Sequence, residues 1–281
     1  MMKNGDTDPA YSCLLYLANR FDITLEQRYW LAFLYSTCYC GVTAWYIFNE
    51  FPDYKLVNFD RMERWWKANR EKVIFTTDKA WVRSRNQFVD MVRSYTQVIN
   101  SESQAEKYFT LKTPDKILNY ENCYNEFGKC YQMGRFGLFL YLESVYVLTG
   151  FPMSPNGLDL KNAESSRNGL CFALGRDDLV THKVKKPLSK KEYKYLYKEF
   201  WDLFKDIEEK RPDDTTVWSV ETTLCAYKKY KYGKRYIGYY IERQRKEIEK
   251  IENLVTEGVD WSVLWQYRKE YFDWKWLKEI N

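Results

Sequence analysis

Apolar side chains along this 281-residue chain recur at intervals of three and four rather than two, the spacing that lines one face of a helix. Thr24-Leu25-Glu26-Gln27 has the form of a capping box, and Leu31, Leu34 and Tyr35 continue its stripe, so a helix is expected through Tyr39. Two more are expected over 60–70 and 79–99. Thr113-Pro114 reads as an N-cap with proline at the first helical position. Residues 133–148 are apolar all round, the mark of a buried central helix. Ser189-Lys190-Lys191-Glu192 is a second capping box, opening a helix that should stop near Arg211-Pro212. Helices over about 218–230, 235–256 and 261–278 follow. Between 150 and 178, Pro152, Pro155 and Gly157 break the pattern, and the segment reads as irregular. Alternating strand patterns are few. The expectation is a mainly α fold with less than about 10% strand. It would comprise an N-terminal tail over 1–16 and a single helical domain over 17–281, open to division into two lobes near 150–180.

Composition then narrows the chemistry. The chain holds 25 Tyr, 16 Phe and 11 Trp, enough to fill helix interfaces and to line half-wet clefts or base-stacking surfaces. Its net charge of +5 is mild but unevenly placed. Residues 1–60 carry four basic and seven acidic side chains, whereas 183–198 carry seven lysines against one glutamate, and 225–250 nine basic against three acidic. A basic rear half suggests a polyanion on one face; solvated helix faces are the plain alternative. Seven cysteines without a framework, and a polar, acidic start, suggest reduced thiols inside a cell. No apolar run is long enough to span a bilayer. The single histidine, His182, excludes a His-based zinc site, a Ser-His-Asp triad and the zinc deaminase signature. Neither a Walker loop nor Gly-x-Gly-x-x-Gly is present.

Polar residues suited to anions crowd into Ser165–Asp178. Arginine forks match phosphate or carboxylate, so Arg167, Asn168 and Arg176 are candidate substrate contacts, and Asp177 or Asp178 a candidate base or metal ligand. A structural ion-pair network is the alternative. Arg135 follows Gly134 at the start of the most apolar helix, where a buried arginine would need an anion. One pocket is therefore expected to gather Arg135 with Arg167, Asn168, Arg176, Asp177 and Asp178. Tyr35 and Trp45 would offer stacking surface, and Lys79, next to Thr77-Asp78, a phosphate contact. Glu221, Cys225 and Lys228 or Lys229 fall on neighbouring turns. Lys228, Lys229, Arg235 and Arg243 interleave with aromatics as a nucleic-acid backbone would favour. Cys171 could add to a pyrimidine ring; a core thiol is the alternative.

The string Leu25-Glu26-Gln27-Arg28-Tyr29-Trp30-Leu31-Ala32-Phe33-Leu34-Tyr35, followed by Tyr39-Cys40-Gly41 and Ala44-Trp45, resembles the N-terminal signature of the phage amino acid:DNA transferases. Also similar are Thr77-Asp78-Lys79, Gly134-Arg135-Phe136, Arg167-Asn168-Gly169-Leu170-Cys171, Gly175-Arg176-Asp177-Asp178 and Glu221-Thr222 with Cys225-Ala226-Tyr227-Lys228-Lys229. Gly238-Tyr239-Tyr240, Arg243-Gln244 and Asp260-Trp261-Ser262 extend the likeness, which covers residues 17 to 268. It implies thymidine hypermodification in phage DNA, kinship with the α-glutamyl/putrescinyl thymine pyrophosphorylases, and a helical fold related to DNA glycosylases. The implied substrates are double-stranded DNA, its 5-hydroxymethyluracil pyrophosphorylated by a separate kinase, and a free amino acid that displaces pyrophosphate. The setting would be the cytoplasm of an infected bacterium.

Displacement itself sets the expected roles: Arg176, Asp177, Asp178 and Glu221 in catalysis, with no cofactor required beyond a candidate Mg²⁺. The base would be extruded to be reached. A non-catalytic DNA-binding phage protein and a glycosylase-like enzyme acting on modified bases are the competing readings.

Overall fold

The computed structural model describes residues 8–76, 85–100, 103–181, 187–213 and 215–272. Among the described residues the fold is mainly α: thirteen α-helices and three short 3-10 turns, with no strand. No helix among them is long and apolar enough to cross a membrane. The chain divides into two compact units, Ala10–Met153 with Glu242–Asn281, and Ser154–Ile241 with Met1–Pro9.

The larger unit is built around α2 (Leu25–Cys38) and α8 (Arg135–Thr149). The expected capping box opens α2: Gln27 N donates to Thr24 Oγ1 at 3.3 Å, and Thr24 N donates to Gln27 Oε1 at 2.9 Å. Around these helices lie α1 (Pro9–Arg20), α3 (Gly41–Glu50), α4 (Phe59–Asn69), α5 (Phe88–Ile99), α6 (Gln104–Leu111) and α7 (Lys116–Phe127). The rings of Phe33 and Tyr95 stack at 3.9 Å, and the hydroxyls of Tyr95 and Tyr141 meet at 3.0 Å. Trp30 donates its indole N–H to the Phe51 carbonyl at 2.6 Å. These rings therefore bury their area without abandoning their polar ends.

Three local expectations change here. Helix α1 occupies much of the expected tail, because Leu14 and Leu17 give it a fully buried face. The cap of α7 is Asp115, which accepts from Ile117 N and Leu118 N at 2.7 and 3.2 Å; the Thr113 hydroxyl instead donates to Asn119 Oδ1. Helix α5 starts at Phe88, and the part of the expected helix before Arg85 lies outside the described residues. Helix α2 ends at Tyr39 as expected, where a φ of 51° is left-handed, and α3 follows as a separate element.

The smaller unit contains α9 (Glu164–Ala173), α10 (Lys190–Lys210), α11 (Val217–Lys231) and the start of α12 (Tyr239–Leu254). The stretch expected to be irregular thus holds a ten-residue helix. Leu170, Cys171, Leu196, Phe200, Val220 and Leu224 form its apolar core. The decisive position is Gly169. A Cβ there would lie 2.0 Å from the Leu224 carbonyl oxygen, so α9 and α11 touch backbone to backbone. Only glycine permits that approach. Helix α13 (Ser262–Tyr271) closes the larger unit.

Candidate functional site

The close crossing at Gly169 brings one face of α9 against one face of α11, and the polar residues flanking it form a cluster. From α9, Glu164 Oε1 lies 3.5 Å from Asn168 Nδ2 and 3.5 Å from Lys228 Nζ on α11. Along α11, the Cys225 thiol donates to Glu221 Oε1 at 3.3 Å. Burial and the Glu221 charge hold that thiol well above its ordinary value of 9.0, while Lys229 pulls it down. Cys225 is therefore protonated, a donor to Glu221 rather than a nucleophile.

Behind this face, Arg167 is 4% exposed and Asn168 is fully buried. Arg167 Nη1 donates to the Leu160 carbonyl at 3.2 Å, Nη2 donates to Thr181 Oγ1, and Nε has no partner. Asn168 Nδ2 donates to the Thr181 carbonyl at 2.8 Å, and Thr181 N donates back to Asn168 Oδ1 at 3.2 Å. Among the described residues no carboxylate pairs with Arg167. A buried guanidinium answered only by neutral oxygens leaves positive charge in a low-dielectric setting. Among the described residues that charge on Arg167 has no acidic counterpart in direct contact. An anion would balance it.

Other expected residues sit differently. Arg176 grips Asp178 through Nε–Oδ1 and Nη2–Oδ2, both 2.7 Å, and lies over the Tyr195 ring at 4.9 Å. That is a solvent-facing pair formed two residues apart. The guanidinium holds the Asp178 carboxyl below its ordinary range, making it a weak base. Asp177 is exposed. Cys171 is fully buried and its thiol is raised from 9.0 to about 11, which suits a core residue and not an attacking thiolate.

Tyr35 is fully buried, edge-on to Tyr11 at 5.3 Å, and Trp45 stacks on Phe48 at 5.4 Å. Both fill the core of the larger unit, so neither offers the stacking surface expected of it. Arg135 is half-buried at the first turn of α8, not enclosed as its apolar helix suggested. It belongs to the larger unit, Arg167 and Arg176 to the smaller. Lys79 lies outside the described residues. Of the expected DNA contacts, Lys228 is tied to Glu164, and Lys229 is half-buried beside it. Arg235 is held between two rings, 4.8 Å from Tyr239 and 4.7 Å from Tyr240.

Arg243 belongs to a second assembly, in the larger unit. Its Nε donates to Glu247 Oε1 at 2.8 Å, its Nη2 donates to the Tyr39 carbonyl at 3.2 Å, and its guanidinium lies over the Tyr39 ring at 4.9 Å. Phe136 meets the same ring edge-on at 5.5 Å, and Thr76 Oγ1 donates to Glu247 at 3.5 Å. The left-handed Tyr39 is thus held from several directions. With its charge paired and its Nε and Nη2 committed, Arg243 acts as an internal strut rather than a phosphate contact.

Residues quoted for the resemblance therefore converge twice in space: Arg167, Asn168, Gly169, Glu221, Cys225 and Lys228 in one unit, and Tyr39, Phe136 and Arg243 in the other. The amino acid:DNA transferase family matches residues 2–236. This chain belongs to that family. It is 28% identical over 262 residues to a serinyltransferase of Salmonella phage ViI, a match covering 87% of this chain and 63% of the relative. The chain thus spans less than two thirds of that relative's length. No solved structure matches.

Three residues of these two clusters are not among those the sequence singles out: Glu164, Thr181 and Glu247. Glu164 had a legible signal, standing one turn before Asn168 on what proved to be helix. Thr181 and Glu247 had none, because only the fold brings them to Arg167 and Arg243. Among the described residues no group of three or more His, Cys, Asp or Glu side chains could hold a metal ion.

Proposed function

We propose that this chain transfers an amino acid to pyrophosphate-activated 5-hydroxymethyluracil in phage DNA. The amine nitrogen forms a bond to the exocyclic carbon, the carbon–oxygen bond to pyrophosphate breaks, and the amine's proton passes to a carboxylate. What carries the reading is the α9–α11 cluster, where Glu164 meets Lys228, Glu221 meets Cys225, and Arg167 lies buried with no acidic partner among the described residues.

Glu221 is the proposed base. Cys225 donates to it and fixes its orientation, and its carboxylate accepts the amine proton. Lys228, Lys229 and the field of Arg167 stabilise the departing pyrophosphate, a role for fixed positive charge. Mg²⁺, which favours phosphate oxygens with few protein ligands, would arrive with that group. A separate kinase would supply the activated base, in the cytoplasm of the infected cell. Serine is the first amino acid to try, following the name of the phage relative.

Incubating the protein with pyrophosphorylated 5-hydroxymethyluracil DNA and a pool of amino acids, followed by nucleoside mass spectrometry, tests the proposal. An aminoacylated nucleoside together with released pyrophosphate supports transfer. Base release points to a glycosylase-like hydrolase, and unchanged nucleosides with bound DNA point to a non-catalytic binder.

A further inference from the structure

The turn that joins α11 to α12 presents the most exposed large apolar side chain among the described residues of the smaller unit. Ile237 is 69% exposed and its neighbour Tyr236 51%. Large side chains left in water side by side signal something that covers them. The turn that carries them is firmly built. Gly233 and Gly238 bracket it with φ of 64° and 90°, conformations other residues resist. Lys234 N donates to the Lys229 carbonyl at 2.9 Å, and Tyr239 N to the Tyr236 carbonyl at 3.1 Å. Arg235, between the two, is clamped over the Tyr239 and Tyr240 rings.

Charge identifies the occupant. From Thr222 to Ile241 the chain has no acidic residue, and it carries Lys228, Lys229, Lys231, Lys234 and Arg235. Lys231 and Lys234 approach the rings of Tyr227 and Tyr232 at 5.6 and 5.8 Å, leaving their ammonium groups near the surface. An apolar protein partner would gain nothing from this density of like charge. A nucleic acid supplies both complements, phosphates for the cations and base faces for the apolar tip. Inserted apolar side chains unstack base steps in the same manner.

We infer that Tyr236 and Ile237 form a wedge that enters the base stack of duplex DNA while the surrounding cations hold its phosphates. The inference rests on the proposed DNA substrate and adds how the duplex is opened, since the reacting base must leave its stack.

The test places 2-aminopurine beside 5-hydroxymethyluracil in a duplex and in the matching single strand. Wild type, Ile237→Ala, the double variant Tyr236→Ala with Ile237→Ala, and Ile237→Phe are compared. Wild type should raise the duplex emission, the alanine variants should lose that rise and bind the duplex roughly tenfold more weakly, and Ile237→Phe should retain both. Single-strand binding should fall far less. The exposed positions keep the fold out of the comparison, and matched circular dichroism checks it. Emission and affinity of the alanine variants equal to wild type would overturn the wedge and mark this tip as a protein-docking surface. Failure of wild type to bind the duplex would overturn it too; mass spectrometry of transfer on single strands then decides separately whether the proposed activity stands.

Discussion

The two units pack their central helices by opposite means. In the larger unit, α2 and α8 interlock through aromatic side chains: Phe33 faces Tyr141 edge-on at 6.2 Å, and Tyr95 stacks on Phe33. In the smaller, α9 and α11 meet through Gly169 with nothing between the backbones. Interlocked rings bury apolar area and suit a scaffold. Close contact brings polar side chains from two helices within reach of one another, as at Glu164 and Lys228. The first arrangement supplies stability, the second a place for chemistry.

The most severe way to break this contrast is Gly169→Ala. A methyl group at 2.0 Å from a carbonyl oxygen forces the helices apart, and the smaller unit should lose about 4 kcal/mol or more. Thermal unfolding should show that loss, whereas Gly41→Ala in the larger unit, with only an ordinary 3.6 Å contact to Ala10, should be neutral or slightly stabilising. Phe33→Ala attacks the other mode and should cost about 3 kcal/mol through the cavity it leaves. Chemical denaturation would measure it. Equal sensitivity of both helix pairs to added methyls would erase the distinction.

Glu221→Gln sharpens the chemical side. It keeps the Cys225 contact but cannot take a proton, so transfer should fall about a hundredfold with unfolding unchanged. Full activity in that variant would remove Glu221 from the base role.

Alkaline titration gives a smaller effect shared by both units. Burial raises the Cys171 thiol from 9.0 to about 11 and the Cys123 thiol to about 12. Between pH 9 and 11 the folded chain therefore binds more protons than the unfolded one, so stability present below pH 9 should decline as pH rises through that window. Denaturation midpoints flat from pH 7 to 8.5 and falling above 9 are expected. Alkylation of Cys171 should likewise be slow until the protein unfolds.

The smallest effect belongs to Arg176→Ala. Its partner is an exposed carboxylate two residues away, a pairing that solvent screens, and transfer should change only a few-fold. A large selective loss of transfer, at intact stability, would return Arg176 to the active centre.

What the sequence shows well is whatever depends on neighbours along the chain. Thr24 with Gln27, and Ser189 with Glu192, close as capping boxes. The apolar run after Gly134 becomes α8. Errors arise where the chain's own pattern competes with the fold. Prolines before residue 158 masked α9, whose helicity depends on packing at Leu170 against α11. Asp115 lies one position beyond the proline that pointed to Thr113. Site residues were harder still. Tyr35, Trp45 and Arg243 have the right chemistry for a substrate, and only tertiary contacts reveal that their surfaces are already spent. Conversely, the charge imbalance at Arg167 becomes visible only once Leu160 and Thr181 are seen to be its partners.

The order of the chain has its own outcome during synthesis. The larger unit is interrupted after Met153 and resumes at Glu242, and its return segment is stitched to its beginning: Tyr267 meets the Ser12 hydroxyl at 2.6 Å and lies 5.5 Å from the Tyr16 ring. A ribosome adds about 5–20 residues per second, so every residue of the smaller unit is translated before the larger one receives the segment that covers α1. The part that carries the α9–α11 cluster can mature first, while its scaffold waits, with Tyr16 still bare, for the last helices to emerge.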